Sequence, residues 1–103
     1  MSLASEFTAR HGELVRLTVL QLLGELSSNS AIEELILPPI EAMDLPCTMD
    51  QLRGHLSWLA EQGLIEIENN KRGGLTAYLL ERGREVARGA ATAPGVARAK
   101  LRG

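Results

Sequence analysis

The segment that most constrains the fold is MDQLRGHLSWLAEQGLIEIE, residues 49–68, in which one apolar spacing gives way to another at a glycine. The first apolar residues recur at intervals of three, four and three, which predicts one buried stripe along a helix. They are Met49, Leu52, Leu56 and Leu59. Thr48 is a good N-cap for this helix, and Gly63 can take the left-handed conformation that ends one. Because apolar and acidic residues alternate after Gly63, the segment predicts a helix that turns directly into a half-buried strand.

Two more helices are predicted before this segment. Residues 5–27 are apolar on more than the one side that a surface helix needs, so we expect a helix that is central in the core and also packs on a second subunit. Ser30 and Glu33 have the spacing of a capping box that opens the next helix. Pro38 and Pro39 interrupt that helix. Because proline cannot donate a backbone hydrogen bond and clashes with the preceding turn, a kink or a restart is expected there.

The rest of the chain predicts a hairpin, a fourth helix and a tail. NNKRGG is rich in residues that tolerate positive φ, and LTAYLL has the pattern of a returning strand, so residues 64–80 predict a hairpin. ERGREVARGA predicts the fourth helix. Residues 91–103 contain proline, glycine and three basic residues but little to bury. We therefore expect one domain over residues 1–90, followed by a basic, extended or mobile tail over residues 91–103.

This order of elements is that of a winged helix-turn-helix fold. The fold class expected is mainly α with a small β-hairpin: a three-helix core that carries a wing and a C-terminal helix. If the leucine stripe of the helix over residues 48–62 is buried, the opposite face can enter a DNA major groove, and the wing over residues 64–80 can reach neighbouring phosphates. The residues predicted to bind DNA are Thr48, Gln51, Arg53, Gly54, His55, Ser57, Lys71 and Arg72.

The chemistry of these residues suggests how each part would contact DNA. Gln51 and Arg53 can reach base edges, whereas Lys71 and Arg72, at the tip of the wing, would meet phosphates as point charges. Gly54 has no side chain, so the backbone could approach DNA closely at that position.

Some of these residues also have a purely structural interpretation. His55 and Ser57 suit phosphate or base contacts, but His55 equally suits a surface position or a hydrogen bond to the turn between the first two helices. For Trp58, packing against the wing or a dimer partner is favoured over stacking on a base. Arg53 can be merely solvated, and the two bases of the wing turn can be solubilising charges.

The charge distribution favours a DNA-binding face although the net charge is −2. Residues 1–50 carry eight acidic and two basic side chains, a net charge of −6. Residues 51–103 carry nine basic and five acidic side chains, a net charge of +4. A chain polarised in this way can present a basic face despite its negative total.

Several classes of function are not expected. The single cysteine, Cys47, fits a reducing cytoplasm, and no apolar run approaches the ~20 residues of a membrane span, so we expect a cytoplasmic protein. Cys47, His11 and His55 lie on different predicted elements, and a metal site needs about three or four ligands, so no metal is expected. The sequence shows no Ser/His/Asp set, no phosphate-cradling glycine loop and no carboxylate pair. Neither enzymatic activity nor a cofactor is therefore expected.

Parts of the chain resemble known winged-helix families. HLSWLAEQGLIEIE resembles the segment from recognition helix to wing of ArsR- and MarR-type regulators, which share the pattern H-L-x-x-L-x-x-x-G-L-[I/V]. LTAYLLERGREVA resembles their return strand and following helix, but Leu80-Glu81 replaces the usual Leu-Thr, which removes a helix cap. LSWLAEQGLIEIE, LERGREVARG and APGVAR, in this order and spacing, resemble short winged-helix proteins of Mu-like transposable phages and prophages. That resemblance implies a transcriptional regulator.

Two hypotheses of function follow. The first is a homodimeric regulator that binds double-stranded DNA and dimerises through the first helix, with the fourth helix as a further contributor. The second is a winged-helix module for protein–protein interaction in phage replication or transposition, without sequence-specific DNA binding. The acidic first half and the few cations of the third helix favour this alternative. A ligand-responsive regulator is a third option, which requires a pocket at the dimer interface.

Overall fold

The computed structural model describes residues 2–100, which form four helices and a three-stranded antiparallel sheet. The elements are α1 (Leu3–Glu25), β1 (Ser30–Ile32), α2 (Glu33–Ala42), α3 (Met49–Glu61), β2 (Ile65–Asn69), β3 (Leu75–Leu79) and α4 (Glu81–Arg88). The mainly helical class with a small hairpin is therefore confirmed. No helix within residues 2–100 is long and apolar enough to cross a membrane.

α1 is the central helix, as its two-sided apolar pattern predicts. It packs against α2, α3 and α4 and buries five aliphatic side chains in the core. They are Val15, Leu17, Val19, Leu20 and Leu23. Much of the apolar surface that suggested a second subunit is thus covered within the chain. The first turns of α1, up to Arg10, are exposed.

α3 and the hairpin form as predicted. Leu52, Leu56 and Leu59 are fully buried, and Thr48 caps the start of α3. Gly63 has a φ of +74°, the left-handed conformation in which the chain leaves α3 for β2. β2 and β3 then pair antiparallel, with Ile67 opposite Ala77. α4 begins at Leu80 without a side-chain cap, as the Leu-Glu pair predicts.

The capping box predicted at Ser30 and Glu33 is wrong, because Ser30 lies in a strand. β1 pairs with β3 in the sheet order β1-β3-β2, and Ser30 is opposite Tyr78. Since Ser30 is extended in this ladder, Ile32 becomes the N-cap of α2, and it makes no side-chain cap hydrogen bond. Asn29, at a φ of +53°, instead donates its side-chain amide to the last carbonyls of α1.

The restart predicted at Pro38 and Pro39 does not occur. α2 continues through both residues as one ten-residue helix. Ile36 and Ile40, on either side of the pair, are fully buried in the same core and hold both halves of the helix against it.

The C-terminal segment has no helix or strand, but it does not lack buried surface. Ala93, Val96 and Ala97 are buried, and the Ala97 N–H donates to the Glu13 carbonyl of α1 at 3.1 Å. Small side chains let this backbone lie close to α1, so residues 91–97 cover the core as a strap. The last part of the predicted tail, residues 101–103, lies outside the described residues.

Candidate nucleic-acid interface

A capping box fixes the start of α3. The Thr48 hydroxyl accepts from the Gln51 N–H at 3.1 Å, and the Gln51 side-chain oxygen accepts from the Thr48 N–H at 2.9 Å. Two backbone donors at the helix start are satisfied in this way. The structure thus gives both residues, predicted as DNA contacts, a structural role as well, and both remain exposed.

The outward face of α3 is small and weakly charged. Arg53, Gly54 and Ser57 are exposed, opposite the buried leucine stripe. No atom lies within 4 Å of the position that a Cβ would occupy at Gly54. This part of α3 therefore has an open surface that another backbone could approach closely.

Arg53 is paired with a buried carboxylate that sequence reasoning did not place in the site. Its Nε and Nη2 donate to Glu33 at 2.9 and 2.8 Å. The Glu33 side chain is 3% exposed, whereas that of Arg53 is 49% exposed. The hydrogen bond from Arg53 holds the pKa of Glu33 below its usual value against the opposing effect of burial, and the pair raises the pKa of Arg53. Both groups are therefore charged at neutral pH.

Arg53 also joins α3 to the wing. It lines an open cleft of about 450 Å³ together with residues of the wing turn. The others are Asn69, Asn70, Gly73, Gly74 and Leu75. The predicted recognition helix and wing thus share one concave surface.

The wing turn itself is well braced. The Asn70 N–H donates to Gly74 O at 3.0 Å, and the Thr76 hydroxyl donates to the Asn70 side chain at 2.8 Å. Gly73 and Gly74 have φ of +88° and +85°, which explains why the turn needs glycine at both positions. Lys71 and Arg72 are exposed at the tip, as predicted.

His55 faces α1 and is half-buried rather than fully outward. Its Nδ1 accepts from Nε of Arg16 at 3.2 Å. Burial lowers the pKa of His55, and the positive charges of Arg16 and His11 lower it further. The imidazole is therefore neutral at pH 7, which makes it a poor electrostatic partner for a phosphate.

Arg16 organises the side of α3 next to His55. Its guanidinium lies 4.5 Å from the centre of the Trp58 ring and donates from Nη1 to the Gly95 carbonyl at 2.7 Å. Trp58 thus packs against α1 and the strap instead of the wing. Sequence reasoning missed Arg16 and Gly95 because their partners are 39 to 79 residues away along the chain.

The chain is similar to two phage and bacterial proteins. No protein-family model matches it. It is 37% identical over 87 residues to the uncharacterized protein gp26 of Escherichia phage Mu, a match that covers 84% of this chain and 88% of gp26. It is 39% identical over 67 residues to an uncharacterized protein of Haemophilus influenzae, covering 65% of each chain.

Proposed function

The chain belongs to the family of the phage Mu protein gp26, and from this premise we propose that it is a winged helix-turn-helix protein that binds double-stranded DNA as a homodimer and regulates transcription. In this proposal α1, α2 and α3 are the three-helix core, α3 is the recognition helix, and β2 and β3 are the wing. β1 adds a third strand on the other side of β3.

One observation carries the DNA-binding proposal: the cleft that Arg53 of α3 shares with the wing turn. A recognition helix in a major groove needs a second element beside it to reach the flanking phosphates. The wing turn is that element, and it presents Lys71 and Arg72 in exposed positions. Because Glu33 balances the charge of Arg53, these two bases would supply most of the phosphate attraction at this surface.

The first turns of α1 support the homodimer. Leu3 is 86% exposed and Phe7 is 71% exposed, one helical turn apart on the same face. Residues 2–10 are all exposed, and an isolated helical end of this length is marginally stable in water. A second α1 packed across Leu3 and Phe7 would bury both side chains. The proposed dimer surface is thus the start of α1, not the leucine-rich part that the core already buries.

The test of DNA binding is a fluorescence titration of the full chain with a labelled duplex at several salt concentrations. A duplex selected from a random pool by the protein itself serves as the specific probe. The logarithm of the binding constant should fall linearly with the logarithm of salt concentration. The Lys71→Ala, Arg72→Ala double variant should reduce this slope by about 1.8, which is about 0.9 for each lost phosphate contact.

A matched double variant controls for net charge. Arg88 and Lys100 line a different cleft, between the end of α1 and α4, so Arg88→Ala, Lys100→Ala removes the same charge from another surface. This variant should keep the wild-type slope to within about 0.5. Absence of binding at low salt, or equal effects of the two double variants, would refute the proposal.

A second function is favoured by the exposed face of α2. Leu35 and Met43 are 64% and 63% exposed, and Glu34 and Glu41 are exposed beside them. An apolar surface rimmed by acidic side chains suits a basic protein partner, such as a phage replication or transposition component. Its signature is a complex, captured with purified phage proteins, that survives Arg53→Glu but is lost on Leu35→Glu.

A further inference from the structure

The pairing of Arg53 with Glu33 determines what kind of DNA group Arg53 can recognise. The Glu33 carboxylate is buried at the first turn of α2 and uses both oxygens on one edge of the guanidinium. Gly74 of the wing packs close to it: a Cβ there would lie 3.3 Å from Glu33 Oε1. Elements α2, α3 and the wing therefore all constrain the orientation of Arg53.

The hydrogen bonds leave a defined pair of donors. Of the five N–H groups of arginine, the Nε–H and one Nη2–H are used on Glu33. The edge between Nη1 and Nη2 then carries two parallel N–H groups. The Arg53 side chain is half exposed and lines the cleft with the wing, so this edge is accessible to a ligand.

The charge of the pair decides between two classes of acceptor. A phosphate is attracted chiefly by net positive charge, and the ionised Glu33 at 2.8 Å cancels that of Arg53. A guanine base is neutral and presents two coplanar acceptors, O6 and N7, on its major-groove edge, which match two parallel N–H donors. An oriented guanidinium with little net charge is therefore suited to guanine and poorly suited to phosphate.

We infer that Glu33 is a positioning residue that fixes Arg53 as a reader of one guanine in the major groove. The inference rests on the proposed DNA binding and deepens it: Arg53 supplies sequence discrimination, and Lys71 and Arg72 supply phosphate attraction.

The experiment compares Arg53→Ala with the wing double variant on two duplexes, the selected one and one of mixed sequence. Arg53→Ala should lower the affinity for the selected duplex by about 10- to 100-fold, the effect of losing one bidentate base contact. Its affinity for the mixed duplex and its salt slope should stay near those of the wild type. Arg53→Lys keeps the charge but not the donor pair, and it should fail to restore discrimination.

Glu33→Gln separates positioning from simple structural support. The variant leaves the Arg53 charge uncompensated, so the salt slope should steepen by about 0.9 while discrimination falls. Circular dichroism verifies that the variant is folded. Should it unfold, the selected duplex still provides the test: its guanines are replaced one at a time by 7-deazaguanine, which lacks N7. One replacement should weaken the wild type and leave Arg53→Ala unaffected.

The possible outcomes are distinguishable. If the wild type binds no duplex at low salt, the proposed function and this inference both fail. If the wild type binds with a clear salt slope but Arg53→Ala lowers the slope and spares discrimination, Arg53 is a phosphate contact and only the inference fails. Sensitivity of Arg53→Ala to every 7-deazaguanine replacement that affects the wild type would also overturn it.

Discussion

Substituting Gly95 by alanine tests whether the C-terminal strap is docked on the core. Gly95 has a φ of +93°, and a Cβ there would lie 2.5 Å from a ring carbon of Trp58. The left-handed backbone costs alanine about 1–2 kcal/mol relative to glycine. Crowding the indole adds about 1–3 kcal/mol, because the ring is held between the strap and Arg16 and cannot move away cheaply.

Gly73 provides a matched control for the backbone effect. Its φ is +88°, but no atom lies within 4 Å of its Cβ position. Gly73→Ala should therefore show the backbone cost alone. The difference between the two variants isolates the Trp58 contact, and we expect about 2 kcal/mol, or roughly 8–16 °C in Tm for a domain of this size.

Thermal unfolding followed by circular dichroism measures this difference. Trp58 is the only tryptophan of the chain, so its fluorescence reports directly on the strap. Gly95→Ala should shift its emission to the red, since a displaced strap exposes the indole to water. If the two alanine variants have the same Tm and the same emission, the strap is not packed on Trp58, and the reasoning is refuted.

Three further predictions concern stability and assembly. His55 holds its proton less tightly when folded, because burial and the charges of Arg16 and His11 lower its pKa below 6.5. Its contribution to stability is therefore full above pH 6.5 and is lost as pH falls through the lowered pKa, so Tm should drop between pH 7 and pH 5 more in the wild type than in His55→Asn. An equal drop in both would contradict this. Gly54→Ala should stabilise the protein by about 0.5–1 kcal/mol, because the position is helical and open, yet should weaken DNA binding if α3 enters the groove; urea unfolding and DNA titration measure the two effects. Leu3→Glu with Phe7→Glu should convert the dimer to a monomer of unchanged fold in sedimentation experiments, and a dimer that persists would move the interface elsewhere.

The parts of the fold that the sequence predicts are those determined by near neighbours. The buried stripe of α3, its cap at Thr48, the left-handed Gly63 and the hairpin are each set by residues within a few positions of one another. Periodicity and turn chemistry therefore suffice to find them. The central position of α1 follows in the same way from an apolar pattern that covers more than one side.

The missed features depend on contacts between distant parts of the chain. β1 has only three residues, and it is a strand because β3 pairs with it. The same pairing moved the start of α2 and placed Glu33 beside Arg53, twenty residues away. The strap is rich in alanine, and composition alone does not show that small side chains permit close packing on α1. Residue spacing in the sequence cannot reveal such partners.

Chemical-shift mapping tests the proposed DNA binding most directly. The amide resonances of the ¹⁵N-labelled full chain are followed at low salt as the selected duplex is added. The largest changes are predicted over residues 48–57 of the α3 region and 70–74 of the wing turn, with few on the exposed face of α2. Changes centred on Leu35 and Met43, or no change at any DNA concentration, would contradict DNA binding through α3 and the wing.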